Sequence, residues 1–242
     1  KEGEPARVGI GKIAAQTYLY SPFKPAGNRD YSVEHKLAEL ESLLSRLWPK
    51  LAEGFVDLGA SGVRKGVSLY LATQLLRHPR TLRMQKKSRK HLVNILQNVP
   101  KDHTGAPAIE SISIGEKEFT FPKEEWKQLA NADENDDHWI FVDWIVSQAK
   151  DYAEKLMEKR WSMVFLDEPL LATSDNPFFV MDPELKCDQI DGDDAKLMFP
   201  VSPTRLLCMD ELNKPENQYY KVPAEAADLY NCFTLRNADR FL

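Results

Sequence analysis

Thr173, Ser174, Asp175 and Asn176, closed by Pro177, stand between two apolar runs at 161–166 and 178–181. A plain hairpin needs only two turn residues there. Asp, Asn and Ser side chains bond neighbouring backbone groups in turns, and Asn176 before Pro177 favours an extended exit. A loop set on a sheet is also a usual place for chemistry. Asp175 could act as a metal ligand, a base or a substrate acceptor, with Ser174 and Asn176 as substrate contacts. The two uses are compatible.

Glu34 and Glu41 are seven residues apart in a helical pattern. They share one face at roughly 10 Å, too far to hold one proton between them. Each could meet a polar group from the next helix, where Gln74 and Arg77, three apart, are the natural candidates. A buried Glu–Arg bridge is one reading, because a buried charge must be paired. The other is an acidic and basic cleft of Glu34, Glu41 and Arg77, completed by Asp175.

The net charge of −5 conceals segregation. Residues 58–101 contain no Asp or Glu yet carry ten Lys or Arg, leaving −15 on the rest of the chain. Such a block either meets an acidic partner or pairs with the acidic part of its own fold. Arg80, Arg83, Lys87 and Lys90 recur at three- and four-residue steps, a stripe able to follow a phosphate backbone. No aromatic residue lies between Thr73 and Phe119, so base stacking has no platform nearby and binding would be electrostatic.

These side chains need elements to hold them. Leu37, Leu40, Leu44, Leu47, Trp48 and Leu51 predict one helix from Ser32 that Gly54 ends. A second helix is expected over 61–77, and His78-Pro79 breaks it. A third, over 80–97, has Leu82, Leu92, Val93 and Leu96 on one side and basic residues on the other. A hairpin is expected at 112–114 and 117–121, then a short helix at 123–130. Asp133 to Asp137 open a long helix to about 159, their acids suiting its N-terminus. Its stretch 139–146 is apolar almost all round and should be central to the core, with Asp143 a core acid satisfied by Ser147. Strands follow at 162–166, 178–181, 196–199 and 205–208, then a last helix at 224–242. The expected fold is α+β in one domain over 1–242. Its helical N-terminal lobe (32–159) packs on an antiparallel β-rich segment (160–221), closed by a C-terminal helix (222–242).

Several function classes lack their signatures. No P-loop, dinucleotide fingerprint, Gly-x-Ser-x-Gly elbow or His-Glu-x-x-His occurs. Cys187, Cys208 and Cys232 are odd in number and far apart, so a zinc site or disulfide framework is not expected and a reducing cytoplasm is. No apolar run nears the roughly 20 residues that cross a bilayer, so no membrane is expected among the partners. The acids at 188–194 do not meet the ligand positions of a calcium loop.

Taken in order, Val33-Glu34 with Leu40-Glu41, Gln74-x-x-Arg77-x-Pro79, Trp161 to Val164 leading into Thr173 to Pro177, Phe199-Pro200-Val201-Ser202-Pro203, and a late helix from Asn231 to Ala238 form a pattern. It resembles the mainly bacterial domain-of-unknown-function family 4238. The resemblance spans about 13–241 and implies no biochemical activity. Members carry a His-x-x-Pro element near their start; nothing like it precedes Glu34, and the chain opens on Lys1 rather than Met. The original N-terminus is therefore expected to be missing. The leading expectation is a cytoplasmic hydrolase acting on a phosphate-bearing substrate such as nucleic acid. Glu34, Glu41, Arg77 and Asp175 would line its cleft, with the family's N-terminal histidine as acid or base. No metal ligands are assigned, and a divalent metal stays open as a cofactor. The rival is a non-catalytic protein whose basic helix docks an acidic partner. Carboxylates converging on an open pocket would favour the first, and carboxylates held apart in pairs the second.

Overall fold

The computed structural model describes residues 19–109, 111–114, 117–120, 130–181, 196–212 and 218–239. Its elements, in chain order, are α1 (Ser32–Ser45), α2 (Trp48–Glu53), α3 (Ser61–Leu76), α4 (Pro79–Gln97), β1 (Ser111–Ile114), β2 (Lys117–Thr120), α5 (Glu134–Glu158), β3 (Arg160–Phe165), β4 (Phe179–Met181), β5 (Lys196–Ser202), β6 (Arg205–Asp210), β7 (Gln218–Lys221) and α6 (Ala226–Asn237). The fold is α+β. A five-stranded sheet in the order β4-β5-β6-β3-β7 is antiparallel except for the β3–β7 pair, and β1–β2 form a separate hairpin.

Strand side chains alternate between faces, so each strand feeds two cores. Trp161, Met163, Leu197, Phe199, Leu207 and Met209 face the helical half, where they meet Leu44, Leu51, Leu71 and Leu156. Val164, Met198, Leu206 and Cys208 face the other way, onto α6 through Ala227 and Phe233. Burial of both faces explains the unbroken apolar run of Leu206 to Met209. α5 is the spine of the helical half: it packs along α3 and α4, and Phe141, Ile145 and Ala149 join Leu76 and Leu82 in a third cluster.

Four expectations need correction. The first helix is two helices, α1 and α2, because Pro49 sits in the first turn of α2. A proline there lacks the N–H a continuous helix needs, and its ring would clash with the carbonyl four residues back. The stretch 139–146 is buried only on one side: Phe141, Val142 and Ile145 are inside, whereas Ile140, Trp144 and Val146 are exposed. Asp143 is likewise exposed, and Ser147 donates to the Trp144 carbonyl instead. β5 runs past Phe199 to Ser202; Pro200 is tolerated beside the register shift between Pro200 and Ser202 in the β5–β6 ladder. β7 escaped the sequence reading altogether. It is a mostly exposed four-residue edge strand that sends only Tyr219 toward the core and is placed by parallel pairing with β3. The expected short helix at 123–130 and the acids at 188–194 lie outside the described residues, except for Ala130.

Candidate functional site

The residues singled out from sequence fall into two polar groups that meet at the Arg77–His78 peptide. In the first, α1 and α3 pack side by side and bring Arg77, the C-terminal cap of α3, against Glu41. Arg77 Nη1 donates to Glu41 Oε1 at 2.8 Å, and its Nε donates to Gln74 Oε1 at 3.2 Å. The Tyr20 hydroxyl donates to the Arg77 carbonyl at 2.8 Å. Burial pushes the Tyr20 phenol up to about 12, with Arg77 opposing and Glu41 and Glu34 adding to the rise. Tyr20 is therefore a neutral donor at physiological pH and no base. Glu34 is half-buried and makes no hydrogen bond or ion pair among the described residues. The expected polar contact between Gln74, Arg77 and the first helix is thus present, through Glu41.

The second group gathers around Asp175. His78 is the N-cap of α4: its backbone is extended, Pro79 follows at the first helical position, and its Nδ1 accepts the Arg80 N–H at 3.2 Å. A ring nitrogen of His78 and carboxylate oxygens of Asp175 and Asp239 all lie within 4.8 Å of one another. Asp175 Oδ1 accepts the backbone N–H of Asp239 at 3.0 Å. Arg83 Nη2 reaches both Asp239 oxygens at 2.5 Å. α4 has no acid in its own first turn, so residues distant in sequence supply the negative charge its N-terminus favours. Burial holds the His78 imidazole below its ordinary range, against the pull of Asp239 and Asp175.

The Thr173–Pro177 loop owes its shape to α6. Asn231 accepts the Ala172 N–H and donates to the Leu170 carbonyl, both at 2.8 Å. Asn237 donates to the carbonyls of Asn176 (3.0 Å) and Phe178 (2.7 Å), and Asn176 returns a bond to the Asn237 carbonyl at 3.2 Å. Ser174 Oγ accepts the Asn176 N–H at 3.2 Å, an ordinary local turn bond. Two side chains of α6, Asn231 and Asn237, and one of the loop, Asn176, thus hold the loop to that helix.

His, Asp and Asp are a ligand set that first-row transition metals accept. The local bonds argue for a different use. With Nδ1 accepting a backbone N–H, the neutral ring keeps its proton on Nε2, and metal ligation there would displace one or the other. Asp239 already carries the guanidinium of Arg83. The group fits a hydrogen-bonded cluster at the N-terminus of α4 better than a metal centre.

On α4 the basic residues divide by direction. Arg89 forms a two-bond bridge with Asp137 of α5, at 2.6 and 3.0 Å and largely buried, and Lys86 meets Glu134 at 3.1 Å. Arg80, Arg83, Lys87 and Lys90 face outward and are exposed. Arg83 takes Asp239; Arg80, Lys87 and Lys90 have no ion pair among the described residues. Pairing with the acidic part of the fold is thus realised for Lys86, Arg89 and Arg83, while Arg80, Lys87 and Lys90 lie exposed on the opposite side of the helix.

His78, Asp239, Asn231, Asn237 and Tyr20 escaped the sequence reading. His78-Pro79 did signal a helix start, but nothing local in sequence links Arg83 to an aspartate 156 residues later.

Among the described residues, no helix is long and apolar enough to cross a membrane. Neither the curated proteins nor the solved structures contain a match to this chain. The family model described as "Protein of unknown function (DUF4238)" matches residues 1–242, the whole length. The chain therefore belongs to the DUF4238 family.

Proposed function

We propose that this chain is a non-catalytic binding protein that docks a phosphate-bearing polyanion, nucleic acid foremost, on the outward face of α4. The carrying observation is the exposed row of Arg80, Arg83, Lys87 and Lys90 on a helix without a single acidic residue. The separation of the candidate catalytic carboxylates supports this choice. Glu41 is paired to Arg77, while Asp175 is held with His78 and Asp239, so each group already has a structural use. Contact with phosphates would be electrostatic and tolerant of sequence, since α4 carries no Phe, Tyr or Trp on which a base could stack. The free thiols Cys208 and Cys232 suit a reducing, cytoplasmic setting.

Fluorescence anisotropy with a labelled 20-nucleotide single-stranded DNA, titrated over a salt series, tests the reading. Affinity should fall steeply with salt, each neutralised phosphate contributing about 0.7 to the log–log slope. A variant carrying R80Q, R83Q, K87Q and K90Q should lose most of that slope. Equal binding by variant and parent would end the proposal.

A second reading, a hydrolase acting on a phosphate-bearing substrate, draws on the meeting of His78, Asp175 and Asp239 beside Arg83. Asp175 would take a proton from the water that attacks phosphorus, the Nε2–H of His78 would hydrogen-bond a phosphoryl oxygen and Arg83 would bind the phosphate, while the P–O bond to the leaving alcohol breaks and its oxygen takes up the proton held by Asp175. Glu34, Glu41, Gln74 and Arg77 would line the approach from the other side of the Arg77–His78 peptide. Phosphodiester and phosphomonoester cleavage by the parent that Asp175→Asn abolishes, with the fold intact, would establish it over the binding reading. A parent inert toward both would remove it.

A further inference from the structure

Asp239 stands where a phosphate of the proposed ligand would stand. Its carboxylate lies on the guanidinium of Arg83, one of the four outward cations of α4, and in the first turns of a helix that has no acid of its own. It gets there because the end of α6 is registered against the 172–178 loop. Asn231 and Asn237 bond that loop's backbone, and Asp175 accepts the Asp239 N–H. The tail is thus positioned by amide bonds, and the carboxylate is the part that reaches α4. Arg83 is 45% exposed and Asp239 20%, so the pair sits at the rim, where screening by water and salt keeps an ion pair exchangeable. By contrast, the Arg89–Asp137 pair on the inner side of the same helix is 13% and 8% exposed and is not open to a ligand.

We infer that the Arg83–Asp239 pair is an autoinhibitory clasp: the side-chain carboxylate of Asp239, just beyond α6, occupies the basic face in cis, and an incoming phosphate displaces it. This rests on the polyanion-binding reading and adds its regulation. The clasp lowers affinity by removing one cation from the docking row. Any event that draws the end of α6 away from the loop would raise affinity without touching α4.

The test is a double-mutant cycle with the same labelled single-stranded DNA. Asp239→Asn should tighten binding several-fold at low salt and steepen the log–log salt slope by about 0.7, the value of one further phosphate contact on a single strand. Asp228→Asn, on the exposed first turn of α6, changes net charge equally and should leave the slope unchanged. In the parent, Arg83→Gln should cost little, because that cation is already engaged. Combined with Asp239→Asn it should erase the gain. If Asp239→Asn gains no more than Asp228→Asn, or keeps its gain in the double variant, the clasp is overturned while binding by the basic face stands. If the quadruple α4 variant binds like the parent, the underlying reading fails instead. Circular dichroism and thermal melts of each variant separate these outcomes from loss of fold.

Discussion

Arg160 and Arg83 each hold an aspartate through both carboxylate oxygens, at 2.5–2.6 Å, yet their surroundings differ. The Arg160–Asp210 pair joins the starting end of β3 to the finishing end of β6 and is 8% and 7% exposed. Arg83–Asp239 lies at the rim of α4, at 45% and 20%. In the first, water is gone, so either partner alone would be a buried charge and the pair is fixed for the life of the fold. In the second, water and salt compete with each bond, so the pair can open and either partner can be replaced by an outside ion. Similar chemistry therefore serves structure in one place and exchange in another. Burial, not bond length, decides which.

The largest test of that contrast is Asp210→Asn, which leaves the buried Arg160 guanidinium without its counter-charge. It should lower unfolding free energy by about 3–5 kcal/mol in urea titrations. A loss below about 1 kcal/mol would show that the two pairs are equivalent after all. Next in size is Asn237→Ala, which strips the Asn176 and Phe178 carbonyls of their side-chain donor. A cost of about 1–3 kcal/mol is expected, with faster hydrogen exchange confined to the 172–178 loop and the end of α6. Protection lost evenly over the whole sheet would contradict the loop's dependence on α6.

Asp175→Asn should cost less than about 1 kcal/mol, because the amide oxygen can still accept the Asp239 N–H. A larger loss would mean that the Asp175 charge, rather than its geometry, holds the cluster. Asp239→Asn should likewise change stability by no more than about 1 kcal/mol, while its effect on polyanion binding is several-fold.

The subtlest expectation is a pH slope. His78 in the folded chain titrates below its unfolded value near 6.5, chiefly through burial. As pH falls through 6.5 the unfolded state binds the proton first, so stability is lost between that value and the lower folded one, and is fully present above it. His138, also lowered chiefly by burial, contributes in the same direction. His78→Gln should flatten part of the stability–pH curve below 6.5. An unchanged curve would place the His78 ring in water in both states.

Much of the fold was legible because it rests on local periodicity. The 3.6-residue patterns of α3, α4 and α5 and the apolar runs of β3, β5 and β6 name their own elements. The acids of 133–137 marked the start of α5, where the structure adds a capping box between Asp133 and Asp136. Where the reading failed, a local signal was outweighed or absent. Pro49 split a continuous apolar period, Ile140 and Trp144 are apolar but turned outward, and β7 sends only Tyr219 toward the core. The Gln74–Arg77–Glu41 contact was legible because helical spacing puts polar pairs on facing sides of consecutive helices.

The periods of most helices and strands, the acid-free basic helix and the polar loop at 173–177 are written in the order of the residues. Each is a property of neighbours along the chain, where spacing and side-chain chemistry act over a few residues. Tertiary structure alone decided which charges are spent and which are offered. Arg89 turns to Asp137, Arg83 to Asp239, and Lys87 and Lys90 to solvent, although all four lie within eight residues of one another. That sorting depends on which helix packs against which side of α4 and on where α6 ends. The energy of a charge is set by what surrounds it in space, and a linear pattern carries no record of that.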